Sequence, residues 1–291
     1  MDIHIVKKGL SDLKIAWVTD STACRSEGIR NNEDVYIVPM NILIGNKEFK
    51  DGVDLFPEEM FRLLKGNGAD AKTSQPSIGI FQELYTNLQE EYDHIFSIHV
   101  SLAFSGTFSS AQQAAQLVDI PVTVIDSKIL SYPLTKLILD GMEAAEKGLD
   151  PAEIEKFLEA KLNTGKTFVM VGSLEQLHKS GRMNGLSFFL GSMLKIKPIL
   201  LIEDGKLQVE EKVRSIPKGY SRMRDYLDHA LQSKNIKEVY ILYGLNKEEA
   251  DAWVADLSGK YPEISFSSHE LGAVIGVHAG ENTLGISWFA E

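Results

Sequence analysis

Residues 93–126 read DHIFSIHVSLAFSGTFSSAQQAAQLVDIPVTVID, and this stretch decides the fold. Asp93 to Val100 is a short β-like run, Ser101 to Thr107 is a polar turn, Phe108 to Leu117 is helical, and Pro121 to Ile125 is a second β run. Strand, helix and strand in close succession are what a parallel sheet covered by helices requires. In open sheets of this kind ligands sit at the carboxyl ends of the strands. The hydroxyl-rich segments here, Ser101 to Thr107 and Asp126-Ser127, fall at those ends.

The alternation extends outward. Lys14 to Asp20 (KIAWVTD) reads as a first strand with Ser21 and Thr22 at its end. Val35 to Leu43 reads as another, with Pro39 imposing an edge or a bend. Pro57 to Leu64 is a short helix, and Ile78, Phe81, Leu84, Tyr85 and Leu88 share one helical face after Pro76. Ser131 to Lys147 is helical and ends at Gly148; Asp150 then caps a helix with Pro151 at its first position. A second half begins with the strand TFVMVGS, followed by a helix at Leu174 to His178 and an apolar helical stretch from Ser187 to Leu194. Strands at Pro198 to Glu203 and Lys206 to Val213 are joined through Asp204-Gly205, a strong hairpin signal. Helices at Lys218 to Gln232 and Lys247 to Lys260, and strands at Glu238 to Tyr243 and Thr283 to Phe289, complete the chain. The reading is an α/β protein of two domains, 1–164 and 165–291, the first with a mostly parallel sheet flanked by helices.

Composition narrows the function. A net charge of −11 over 291 residues, with no basic run longer than Lys7-Lys8, disfavours nucleic acid and anionic membranes as partners. No apolar stretch reaches the roughly 18–20 residues of a membrane span. The N-terminus lacks the apolar core of a signal peptide, and the single cysteine, Cys24, permits no internal disulfide. These features lead to the expectation of a cytoplasmic protein.

Enzyme signatures fail in turn. Thr164-Gly165-Lys166-Thr167 resembles the end of a P-loop, but Ala160 stands where the loop needs its first glycine, and a helix precedes it instead of a strand. There is no GxSxG, no GxGxxG and no HExxH, so neither a nucleophile elbow, a dinucleotide fingerprint nor a dedicated metal site is expected. What remains is hydroxyl density: Lys72-Thr73-Ser74-Gln75-Pro76-Ser77 ahead of one helix and Ser101 to Thr107 ahead of another. Hydroxyls and free N–H groups at helix starts suit an anion, or they simply cap the helices.

A set of short motifs occurs in order: Val18-Thr19-Asp20-Ser21-Thr22, Thr73-Ser74-Gln75-Pro76-Ser77, Ser105-Gly106-Thr107 with Ser110-Ala111, and Val124-Ile125-Asp126-Ser127. Leu174 to Arg182 (LEQLHKSGR), Lys195 to Ile199, Lys212 to Ser215 and Gly276-Val277-His278 follow. Together they resemble the DegV family, the fatty-acid-binding subunits of bacterial fatty acid kinase, from about Lys14 to Trp288. The resemblance implies two α/β domains with a lipid tunnel between them for one acyl chain such as palmitate, stearate or oleate. It implies a carboxylate site at Thr73, Ser105, Gly106 and His278, with Arg182 and Arg214 at the pocket mouth or facing the kinase. It further implies a non-catalytic subunit, without cofactor or metal, that presents its ligand to a separate ATP-dependent kinase. Two departures stand out: Ala279-Gly280-Glu281-Asn282 replaces the usual Thr-Gly-Pro-Gly, bringing an acid toward the expected carboxylate, and Tyr132-Pro133 replaces small residues. Phe188, Phe189, Leu190, Met193 and Leu194 are candidates to line the tunnel or to be core. The competing readings are a serine hydrolase using Ser105, His278 and Asp126, and a sensor of another amphiphile.

Overall fold

The computed structural model describes residues 13–67, 71–183 and 196–291. Three sheets organise them. The first is parallel, in the order β2-β1-β6-β7, built from β1 (Ile15–Asp20), β2 (Val35–Val38), β6 (His94–His99) and β7 (Val122–Asp126). The second is a small antiparallel sheet, β4-β3-β5, from β3 (Asn41–Ile44), β4 (Lys47–Lys50) and β5 (Ala71–Ser74). The third is a mixed sheet ordered β10-β9-β8-β13-β11-β12. Its strands are β8 (Gly165–Met170), β9 (Lys197–Glu203), β10 (Lys206–Val213), β11 (Glu238–Tyr243), β12 (Ser265–Glu270) and β13 (Leu284–Phe289). The helices are α1 (Glu27–Arg30), α2 (Pro57–Asn67), α3 (Ile78–Leu88), α4 (Thr107–Ala115), α5 (Tyr132–Glu146), α6 (Pro151–Leu162), α7 (Leu174–Lys179), α8 (Ile216–Leu231), α9 (Lys247–Lys260) and α10 (Ala273–Ala279).

Period-two alternation explains the layering. On β1, Ile15 and Trp17 face α5 and α6, whereas Ala16 and Val18 face α3 and α4. The first sheet is therefore covered on both sides, which is why β1 opens as the unbroken apolar run Ile15 to Val18. On the six-stranded sheet, Phe168, Met170, Ile199, Leu201, Val239 and Ile241 pack under α8 and α9. The opposite face is used differently, as described below. Leu242, Leu271 and Phe289 join the same cluster as Trp17 and Leu137, so the core runs continuously from the first sheet to the third.

Several elements differ from the sequence reading. The run Val35 to Leu43 is broken at Pro39 into β2 and β3, which enter two different sheets, because proline supplies no ladder donor and bends the chain. The segment Lys72 to Ser74 is an edge strand instead of a loop, with Thr73 opposite Ile42; its polar composition hid it. β12 and α10 went unread: the first is a polar edge strand (SFSSHE) and the second a seven-residue helix between glycines. The expected helix Ser187 to Leu194, with Phe188, Phe189, Leu190, Met193 and Leu194, lies outside the described residues. The Asp204-Gly205 turn has both residues at positive φ, 48° and 77°, the conformation a two-residue hairpin favours. Its tip docks on the first sheet, where Ser101 Oγ donates to Gly205 O at 2.8 Å. A Cβ on Gly205 would come within 2.6 Å of that oxygen, so only glycine fits.

Candidate functional site

A cavity of about 890 Å³, its open mouth included, lies between the carboxyl ends of the parallel sheet and the face of the six-stranded sheet opposite α8 and α9. Thr22, Val100 and Leu130 come from the loops after β1, β6 and β7, as the strand-end rule anticipates. Thr167, Val169 and Val171 alternate with the core residues of β8, and Ile202, Leu207 and Leu242 extend the wall across β9, β10 and β11. Val274, Ile275, His278 and Ala279 of α10 close a further side.

Most hydroxyls in this wall are already satisfied inside it. Thr22 Oγ1 donates to Asp20 Oδ1 at 2.6 Å, Thr167 Oγ1 shares a bond with Ser287 Oγ at 2.7 Å, and Thr283 Oγ1 bonds Ala279 O at 2.9 Å. Polar function is concentrated where Thr73, Ser105, His278 and Arg182 line the same cavity. Thr73 Oγ1 and His278 Nε2 are 2.8 Å apart, joining β5 to α10 across 205 positions of sequence. Ser105 Oγ bonds Thr107 Oγ1 at 2.9 Å and accepts from Thr107 N at 3.4 Å, so it supports the start of α4 while also lining the cavity. Gly106 caps α4; a Cβ there would lie 2.4 Å from Gln75 Nε2, so its contribution is close approach between the two hydroxyl segments.

Burial, with the nearby Arg182 charge adding to it, pushes the His278 imidazole down to about 4, so the ring is neutral at pH 7. Its Nδ1 is buried and has no hydrogen-bond partner among the described residues. His278 sits in the last turn of α10, not at a strand end. Arg182 is half-buried and donates from Nε to Phe104 O at 3.2 Å and from a terminal nitrogen to Ser180 O at 2.6 Å. Burial lowers its pKa. Arg214 does not join this group. It lines a separate cleft with Gly172, Ser173, Glu175 and Lys197, which meets the main cavity at Val171.

The two departures from the family pattern have structural explanations. Glu281 pairs with Lys65 at 2.6 Å and does not line the main cavity. Tyr132 stacks on His269 with ring centroids 3.3 Å apart and meets Tyr240 edge-on at 4.8 Å, so it bridges the first half to the third sheet.

The hydrolase geometry is not assembled. Ser105 bonds Thr107, His278 bonds Thr73, and Asp126 Oδ1 accepts from the backbone N–H groups of Leu102 and Lys128. A different Asp–His–Ser chain exists, and sequence reasoning missed it. Asp20 Oδ2 lies 3.1 Å from His99 Nδ1, His99 Nε2 lies 2.7 Å from Ser97 Oγ, and Ser97 Oγ lies 2.6 Å from Tyr85 OH. All four side chains are 0% exposed, so no substrate reaches the serine. Asp20 also accepts from the backbone N–H groups of Thr22 and Val100, so the chain fixes the strand ends that face the cavity. The only local hint was the Ser-Ile-His spacing on β6, which puts Ser97 and His99 on one face. Among the described residues no cluster of three or more His, Cys, Asp or Glu could hold a metal ion, and no helix is long and apolar enough to cross a membrane.

Fold and cavity together define a class of α/β protein built around a largely apolar chamber in which Thr73, Ser105, His278 and Arg182 gather. A model of the DegV family, described as uncharacterised, matches residues 14–291. The sequence is 34% identical to a DegV domain-containing protein of Listeria monocytogenes, over 94% of this chain and 98% of that one. The crystal structure of DegV, a fatty acid binding protein from Bacillus subtilis, superposes with a TM-score of 0.89 at 34% identity, covering 96% of this chain and 100% of that one. A stearic acid-binding protein from Eubacterium ventriosum superposes with a TM-score of 0.85 at 26% identity, covering 96% and 98%. The chain belongs to the DegV family.

Proposed function

We propose that the cavity binds one long-chain fatty acid and that the protein presents its carboxylate to a separate ATP-dependent kinase for acyl phosphate formation. The observation that carries this reading is the Thr73–His278 pair facing a chamber that is largely apolar among the described residues. Each buried methylene contributes about 0.8 kcal/mol, so a sixteen-carbon tail offers on the order of 12 kcal/mol before the losses of association. The head group orients the ligand. A neutral His278 donating from Nε2–H to Thr73 Oγ1 leaves the threonine hydroxyl proton free for a carboxylate oxygen, and the Ser105 hydroxyl supplies a second donor. Neutral donors hold a carboxylate without the tight ground-state clamp of a bidentate arginine, which suits a group that must later react.

In this reading the chain is a non-catalytic subunit of two domains, 1–164 and 165–291, with the cavity between them. Arg182 lies close to the head group and Arg214 a step further out, where cations would favour the additional charge of an acyl phosphate and help dock a partner carrying nucleotide. The relatives whose structures are described as fatty acid binding support the ligand class. Native mass spectrometry of protein purified without added lipid tests it: the expected result is a population heavier by one fatty acid. Delipidated protein should then gain about 0.5–0.8 kcal/mol of affinity per added methylene until the cavity is full. A flat response from ten to eighteen carbons overturns the reading.

A further inference from the structure

Helix α10 begins without a cap of its own, because its N-cap residue is Gly272. The first N–H groups of a helix need an acceptor, and in a buried helix water is not there to supply it. Here the Asp51 carboxyl stands in that place. It faces the backbone N–H groups of Ala273 and Val274 and the Ser21 hydroxyl. Asp51 is 3% exposed, its own N–H donates to Met40 O at 2.9 Å, and its Oδ2 has no hydrogen-bond partner among the described residues. A Cβ on Gly272 would lie 3.3 Å from Ser21 O and 3.4 Å from Asp51 Oδ2, so the helix start lies against this carboxyl. Burial pushes the carboxyl up to about 7. A buried, incompletely paired carboxyl is an expensive way to end a loop.

The location gives it a purpose. Asp51 directly follows β4, and Thr73 lies on β5, so one is tethered to the end of the small antiparallel sheet and the other is part of it. That sheet therefore grips α10 twice: through Asp51 at its first turn and through Thr73 at His278 in its last. The two grips are about 7.5 Å apart along the helix axis, five residues at about 1.5 Å each. Between them Gly276 lets α10 press on Met60 and Phe61 of α2, where a Cβ would come within 2.9 Å of both side chains. A helix of seven residues held at both ends by one sheet has little freedom to slide or roll. We infer that Asp51 is a positioning residue for the head-group site: it fixes the register of α10 against β5 and so sets the bond between His278 and Thr73. The inference rests on the fatty-acid reading of that bond.

The experiment compares palmitate with hexadecanol, which shares the tail and lacks the carboxylate, on wild type, Asp51→Ala and Gly272→Ala. Asp51→Ala should weaken palmitate binding about tenfold, the equivalent of one hydrogen bond, and leave hexadecanol within about twofold. The His278 ring nitrogen resonances should move in the same variant, because the Thr73 bond is loosened. Asp51→Asn, which keeps an oxygen acceptor for the helix N–H groups, should restore palmitate binding to within about threefold of wild type. If Asp51→Ala does not fold, Gly272→Ala carries the test, since its methyl presses on Ser21 O and shifts the helix start against the carboxyl by a few tenths of an ångström; a selective loss of palmitate binding with displaced His278 resonances supports the inference. Equal loss of both ligands, or unchanged His278 resonances in a folded variant, overturns it. If wild type itself binds hexadecanol as tightly as palmitate, the carboxylate reading fails and the inference falls with it. If wild type prefers palmitate and the variants keep that preference, the role of Asp51 alone is wrong.

Discussion

Two histidines in this molecule sit in opposite circumstances. His99 is fully buried and bonded through both ring nitrogens, to Asp20 and to Ser97. His278 uses one nitrogen, has a buried Nδ1 without a partner among the described residues, and lines a cavity. The first arrangement has the order of a hydrolytic triad and none of its access. The second has no triad and all of the access. Residue identity and hydrogen-bond order are therefore poor guides to chemistry by themselves; an accessible void beside a polar group with spare capacity is the better one.

The contrast can be sharpened by removing each histidine's partners. His99→Ala would leave the Asp20 carboxyl buried without its imidazole, a loss of about 3–5 kcal/mol of stability. Denaturant unfolding checks this, and a variant as stable as wild type would mean the buried chain relaxes freely. The next effect is in pH. The His278 ring is held at about 4 by burial, then by Arg182, below its ordinary 6.5, so protons bind the unfolded chain more readily between those values. Its stabilising contribution is complete above pH about 6.5 and is lost as pH falls toward 4, by on the order of 2–3 kcal/mol. His269, pushed down to about 4 by burial, contributes in the same window, so the quantity to measure is the difference between wild type and His278→Gln in unfolding free energy across pH 4–7. Equal slopes would show that His278 is solvated.

Smaller effects belong to the cavity side of the comparison. Thr73→Val and Ser105→Ala should each weaken fatty-acid binding by about 1–3 kcal/mol with unfolding midpoints close to wild type. Calorimetric titration reads the first and thermal melting the second; if both variants bind normally, the hydroxyls serve only the helix and sheet they sit on. Smallest is Arg214→Ala, set back in its own cleft. Ligand affinity should stay within about 1 kcal/mol of wild type while the rate of kinase-dependent acyl phosphate formation falls. A collapse of affinity with a normal rate on bound lipid would reverse that separation of roles.

How much of this was legible in the sequence depends on distance along the chain. The parallel sheet was legible because its strands and covering helices are local patterns; so was the Asp204-Gly205 hairpin, whose geometry is set by two residues. The capping of α6 by Asp150 came out as read, with the reciprocal Glu153 contact completing the box. Edge strands β5 and β12 carry polar residues and escape a hydrophobic pattern. The seven-residue α10 is too short for helical periodicity to register. Both histidine pairings join residues 79 and 205 positions apart, which no spacing rule reaches. The ordered family motifs implied a carboxylate site at Thr73, Ser105, Gly106 and His278 with Arg182 and Arg214 at its mouth or facing the kinase; Thr73, Ser105, His278 and Arg182 line one cavity and Arg214 lines an adjoining cleft, a difference that is a property of the fold and not of the motifs.

Strand β8 has one further consequence. Phe168 and Met170 pack under α8 and α9, while Thr167, Val169 and Val171 line the cavity. Here the six-stranded sheet packs core on one side and lines the cavity on the other, so the folded state gains buried apolar surface from a ligand in that cavity. Whatever occupies it becomes structural material. Folding and loading then share one equilibrium, in which the melting temperature rises with the concentration of free ligand and registers how full the population is.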